Sequence, residues 1–168
     1  TNKYYTTFVH TIINTIANMT IEEIIKSKSP LAIEKKTLLN ILYTQNVLSE
    51  KFNDVLKPYD ISSEQFNVLR ILRGQNGKST NMCVIQERMI AKTSNTTRLV
   101  DKLLIKELVT RKVCPENRRK MEITITAKGL KLLSIIDPLI INHEHFFSNN
   151  LNTEELFQLN TLLEKYRT

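Results

Sequence analysis

Apolar residues recur three and four apart along most of this chain, and in one short stretch they alternate strictly with polar ones. Tyr5, Phe8, Val9, Ile12, Ile13 and Ile16 fall on one face of a helix over residues 4–17. Thr20 and Glu23 have capping-box spacing, which opens a short helix through Ile24 and Ile25. Ser29-Pro30 is a helix-start signal for a long helix running to about Lys57. Leu38, Leu42, Leu48, Phe52 and Val55 line one side of it, and Pro58 stops it. Ser62 and Gln65 form the next capping box, with Ile61 and Phe66 as a hydrophobic staple. That helix turns Phe66, Leu69 and Leu72 inward and ends at Gly74.

The stretch from Met82 to Gly129 organises the rest. Met82, Ile85 and Met89 mark a short helix to Ile90, and Ala91-Lys92 form a turn. The run from Thr93 to Arg98 then opens a second helix with Leu99, Val100, Leu103, Leu104 and Leu108 along one stripe. Its other face carries Asn95, Arg98, Lys102 and Lys106. A helix that begins with small hydroxyl and amide side chains, as Thr93, Ser94, Asn95 and Thr96 provide, approaches a sugar-phosphate backbone closely and offers donors to phosphates and base edges. Strands are expected over Leu108–Cys114 and Lys120–Thr126, with Met121, Ile123 and Ile125 on one face. Pro115-Glu116-Asn117 turns between them. Arg118, Arg119 and Lys120 stand at the tip, where cations stay solvated and reach a phosphate or a narrow minor groove.

After the hairpin, Thr126 caps a helix carrying Leu130, Leu133, Ile136, Leu139 and Ile140, with a bend or break expected near Asp137-Pro138. Asn152 with Glu155 is a third capping box, and Leu151 against Leu156 is its staple. Leu156, Leu159, Leu162, Leu163 and Tyr166 give the final helix an apolar face that calls for a partner.

Composition narrows the functional classes. The chain has 168 residues, 41% of them hydrophobic, with 3 Gly and 4 Pro, which fits a helical domain and excludes a disordered chain. A formal net charge of +7 makes an acidic partner plausible, nucleic acid first. No leader pattern and no membrane-length apolar run occurs, so a cytoplasmic location is expected. Cys83 and Cys114 stand alone, without metal-ligand spacing, and read as free thiols. His143 and His145, two apart, point to different sides of a helix and make no metal site by themselves. Neither a glycine-rich phosphate loop nor a nucleophile and base pair is visible, so no catalysis and no cofactor are expected.

The segments Ile85 to Met89, Arg98 to Leu103, Leu108 to Arg111, Pro115 to Arg119 and Ile125 to Gly129, in this order and spacing, resemble the winged helix-turn-helix core of the MarR family of regulators. Two departures stand out. Asn117 occupies the place of the acidic residue that usually precedes the paired arginines, and Glu107 the place of a glycine that usually precedes the Leu-Val pair. A left-handed conformation at Glu107 would cost about 1 kcal/mol.

The resemblance implies a mainly α fold with a small β-hairpin wing. In that fold a DNA-binding lobe is joined to a dimerisation region built from the N- and C-terminal helices. On that basis residues 1–29 are a helical extension and residues 30–168 one domain. Within the domain, 60–129 form the winged lobe, while 30–58 and 130–168 form the dimerisation helices. The expected function is regulation, in the sense of repression, by a homodimer on a pseudo-palindromic site in double-stranded DNA. Thr93, Ser94, Asn95, Thr96, Arg98 and Lys102 would enter the major groove, with Arg118, Arg119 and Lys120 on the wing. The resemblance also implies a small aromatic effector, with Leu38, Leu42, Tyr43 and Phe66 as wall residues. The competing class is a protein-interaction module that uses the same fold without reading DNA.

Overall fold

A computed structural model of the chain describes residues 19–92, 95–114 and 120–168. The helix expected over 4–17 lies outside the described residues, as do Thr93, Ser94, Arg118 and Arg119. The described chain divides into two compact units, one ending at Glu50 and the other beginning at Lys51.

Helix α1 (Ile21–Ile24) starts at the expected capping box: Glu23 N–H donates to Thr20 Oγ1, and Thr20 N–H donates to Glu23 Oε2. Helix α2 (Ile33–Leu56) begins three residues later than Ser29-Pro30 predicts. The serines there are used locally instead. Ser27 N–H donates to the Glu22 carbonyl, and Ser27 Oγ donates to the Ser29 carbonyl, so the segment closes α1. The helical ladder of α2 opens with Lys36 N–H donating to Ala32 O. Lys36 also pairs with Glu22 at 3.0 Å.

Pro58 ends α2 as expected, in a 3-10 turn over Lys57–Tyr59 that closes on Asp60 in a left-handed conformation, φ 53°. Helix α3 (Ser63–Arg73) has its capping box intact, with Ser62 N–H donating to Gln65 Oε1 at 3.0 Å and Gln65 N–H to Ser62 Oγ at 3.3 Å. Both staple residues, Ile61 and Phe66, enter the core with Leu69 and Leu72. A two-residue strand β1 (Thr80–Asn81) follows, and Asn81 caps α4 (Met82–Arg88) by accepting from Val84 N–H. Helix α5 (Thr96–Ile105) leads into β2 (Val109–Val113), β3 (Met121–Ile125), α6 (Ala127–Ser148) and α7 (Thr153–Tyr166).

The sheet has three antiparallel strands in the order β1-β3-β2, one more than the hairpin expected from alternation. Val109 pairs with Ile125 and Val113 with Met121, while Thr80 and Asn81 pair with Ile123 and Glu122. Two residues are too few to show a period of two. Ile123 and Ile125 are buried on the face predicted for them.

Of the bend or break expected at Pro138, a break does not occur: helix α6 runs continuously through it. The neighbouring Asp137 is clasped by Arg73 of α3 through two bonds of 2.5 and 3.2 Å. Leu133, Ile136 and Ile140 are buried, while Leu130 and Leu139 of the same predicted stripe are exposed. The capping box of α7 is present, with Glu155 N–H donating to Asn152 Oδ1 and Asn152 N–H to Glu155 Oε2. Leu159, Leu162, Leu163 and Tyr166 remain exposed on it. No helix among the described residues is long and apolar enough to cross a membrane.

One crossing is tighter than any side chain allows. A Cβ built on Gly129 would stand 2.4 Å from Leu108 O and 2.8 Å from Ile125 Cγ1, so the start of α6 reaches β2 and β3 only because residue 129 has none. By contrast a Cβ on Gly74 would meet nothing nearer than 3.5 Å. Gly129→Ala is therefore expected to destabilise the fold by about 1–3 kcal/mol as overpacking. Gly74→Ala, at a helical φ of −64°, is expected to leave stability within about 1 kcal/mol or raise it. Urea denaturation of both variants checks the contrast.

Candidate nucleic-acid interface

The outward face of α5 is positioned by the residues on its inner side. Val100 and Leu103 are fully buried, and Leu99 and Leu104 pack against the same core. The helix begins two to three residues later than the Thr93 start expected from sequence. Asn95 is its N-cap, accepting from Arg98 N–H at 3.2 Å, so Thr93 and Ser94 precede the helix. Several cap-forming residues stand in a row here, and the docking of Val100 and Leu103 selects the one that caps.

The predicted surface residues then separate. Arg98 and Lys102 are exposed one turn apart on α5, with Asn95 at its head. Thr96 is only 6% exposed and belongs to the buried side of the first turn. Lys120 is exposed immediately before β3, and its carbonyl accepts from Cys114 N–H at 2.9 Å, which extends the hairpin ladder by one rung. Arg98 makes no side-chain hydrogen bond or ion pair with any described residue.

Two lateral attachments and a closed C-terminal end hold α5 in place. Asp101 receives Arg111 of β2 at 2.7 Å. Lys106 reaches Asp60 at 2.8 Å and also donates to the Asp60 carbonyl. The helix ends in a Schellman pattern: Leu108 N–H donates to Leu103 O, and Glu107 N–H to Leu104 O, with the buried Leu103 and Leu108 side chains closing it. Glu107 carries the left-handed φ of 60° that this motif requires. Its carboxylate meets Lys128 at 2.9 Å, and its carbonyl accepts from Thr126 Oγ1 at 2.8 Å.

The wall residues suggested for a ligand belong to separate units of the chain. Leu38 and Leu42 are exposed on α2 and Tyr43 is half-buried, whereas Phe66 is 2% exposed inside the core beside Phe52. His143 sits edge-on between Phe52 and Phe147, with ring centroids 5.5 and 5.1 Å away. No group of three or more His, Cys, Asp or Glu side chains with metal-binding proximity occurs among the described residues. Cys83 is exposed, Cys114 is half-buried, and both are free thiols.

A helical pair, a third helix presenting cations outward, and a three-stranded sheet closing against them define a winged helix-turn-helix protein. The sequence model of the MarR family matches residues 61–121. An uncharacterized HTH-type transcriptional regulator of Bacillus subtilis (strain 168), YpoP, is 31% identical over 134 residues, covering 79% of this chain and 82% of the relative. The transcriptional repressor MprA of Escherichia coli (strain K12) is 27% identical over 124 residues, covering 74% and 70%. Among solved structures, BpsR of Bordetella bronchiseptica, studied for regulation of its DNA binding by 6-hydroxynicotinic acid, has 19% identity and a TM-score of 0.72 over 83% of this chain and 98% of that one. This chain belongs to the MarR family of transcriptional regulators, whose members are not enzymes.

Several carboxylates are held below their ordinary range. Glu107 is lowered from 4.5 by the hydrogen bond from Lys128 and then by its charge. Asp60 is lowered from 3.8 by the hydrogen bond from Lys106 and then by its charge. Glu64 is lowered from 4.5 chiefly by the Ser62 hydroxyl. A carboxylate depressed in the folded state adds stability above its unfolded value and loses it as pH falls through the folded value. The unfolding temperature is therefore expected to hold from neutral pH to about pH 5, then to fall steadily below about pH 4. Glu107→Gln should flatten part of that acid slope in a pH series followed by circular dichroism, and an unchanged slope would remove Glu107 from this account.

Proposed function

We propose that the chain is a sequence-specific DNA-binding repressor that acts as a homodimer on a pseudo-palindromic operator. The observation that carries this reading is the exposed Arg98 and Lys102 face of α5, on a helix whose opposite side is locked into the core. Arg98 is the base-reading residue, because a guanidinium binds guanine bidentately in the major groove. Thr93, Ser94, Asn95, Thr96 and Lys102 set its register, with Thr96 acting from the buried side of the helix start. Arg118, Arg119 and Lys120 on the wing add phosphate or minor-groove contacts that weaken with salt. The net charge of +7 supports such a partner, and the repressor MprA supports the sense of regulation.

In this reading residues 60–129 are the DNA-binding lobe, and 30–58 with 130–168 are the dimerisation helices. Residues 1–29 are a helical N-terminal extension to that domain. Exposed Leu159, Leu162, Leu163 and Tyr166 at the end of the chain support a second copy as the occupant. The protein acts in the cytoplasm, where its operator lies. A small aromatic effector, of the kind that regulates BpsR, releases the DNA.

Fluorescence anisotropy on DNA flanking the gene, titrated with salt and random competitor, tests the reading. Arg98→Ala should lose about 1–3 kcal/mol, concentrated at one base position. Arg118→Ala should weaken binding evenly across sequences and reduce the salt slope by about 1. Binding that competitor abolishes equally for wild type and Arg98→Ala would point instead to bulk charge and a protein partner. Separately, Leu159→Asp with Leu163→Asp is expected to convert a dimer to a monomer in sedimentation velocity while leaving the helical signal in place.

A further inference from the structure

The inward side of α5 is accounted for by packing, with Val100 and Leu103 buried and Leu99 and Leu104 against the same core. One apolar residue of the helix stands apart from that stripe. Ile105, the last residue of α5, is 82% exposed, second only to Ile90 among the large hydrophobic side chains of the described residues, and takes no part in the buried cluster. Neither packing nor propensity selects it there. A β-branched residue gives up side-chain freedom in a helix, so lysine, glutamine or alanine would suit a solvated position better.

The direction of Ile105 gives it a place. Arg98, Lys102 and Ile105 follow one another at i, i+4 and i+7, within an arc of about 60° on the helix surface, so the isoleucine ends the outward row that carries Arg98 and Lys102. The row spans about 10 Å along the helix axis, which equals about three base-pair steps of B-DNA. A recognition helix lying along the major groove reads bases over this same spread of positions. In that groove the thymine C5-methyl is the one alkyl group a base edge displays, among hydrogen-bond donors and acceptors.

We propose that Ile105 is a second base-reading residue of α5, which packs on the C5-methyl of a thymine about three base pairs from the guanine held by Arg98. This contact rests on the DNA-binding reading above and adds to it one residue and one base. The stiff side chain of Ile105 has little rotamer freedom left to lose on contact. A cytosine or purine at that position would set a polar edge against the isoleucine, so the contact discriminates as well as binds.

The preferred site should be selected by the full chain from a pool of randomised duplex DNA, and its thymines then replaced one at a time by uracil. Uracil keeps every hydrogen-bonding group of thymine and lacks only the methyl. In fluorescence anisotropy at fixed salt, replacement at one thymine of a half-site, about three base pairs from the guanine whose identity ceases to matter in Arg98→Ala, should raise Kd about three- to fivefold. Ile105→Ala should bind the thymine site more weakly by a similar factor and should not distinguish thymine from uracil there. Because Ile105 is solvated, this variant is expected to melt with wild type by circular dichroism. A selected site without a thymine at that spacing, uracil tolerated at every position by wild type, or a thymine preference that Ile105→Ala retains would each overturn the role of Ile105 and leave that of Arg98 standing. Selection that enriches no sequence overturns the sequence-specific reading, and the Ile105 contact with it.

Discussion

The winged lobe depends on one close approach of two backbones, where Gly129 at the start of α6 lies against Leu108, immediately before β2. Thr126 holds the approach from both sides. Its N–H donates to Leu108 O, its hydroxyl donates to Glu107 O, and the same oxygen accepts from Gly129 N–H to cap α6. One threonine thereby ties the end of α5, the first strand of the wing and the next helix into a single joint. Because α5 also ends there in its Schellman turn, the joint fixes the direction in which the helix leaves the core. Glu107 accepts the left-handed backbone that the joint demands, and Lys128 meets its carboxylate from the helix on the other side.

That joint sets one end of α5, and electrostatics sets its sides. Asp101 to Arg111 braces it against the sheet, and Lys106 to Asp60 braces it against the turn before α3. Both pairs are partly solvated, so they contribute direction more than stability. The buried stripe of Val100 and Leu103 supplies the rest through apolar burial.

What could be read from the sequence was what is encoded locally. The capping boxes at Thr20, Ser62 and Asn152 each need only residues three apart, and all three are present. The alternation of Met121, Ile123 and Ile125 likewise identified β3 and its buried face. What was missed depends on partners distant in the chain. Strand β1 exists because Thr80 and Asn81 meet Ile123 and Glu122, and nothing within two residues announces that. The starts of α2 and α5 were misplaced because several cap-forming residues stood together, and tertiary docking chose among them. Pro138 read as a bend or a break, and α6 continues unbroken through it beside the Arg73 clasp on Asp137. At the interface, Asn95, Arg98 and Lys102 were legible as one polar face, whereas the inward position of Thr96 was not.

The side chain of Arg98 has no structural duty among the described residues, while Asn95, Val100 and Leu103 do the work of building the helix. Residue 98 is thus free to be exchanged without loss of fold, because its neighbours secure the scaffold. Under the DNA-binding reading proposed above, a lineage carrying this lobe would change the operator it reads by drift at one or two surface codons. Duplicated copies would then separate their regulons before their architectures diverge.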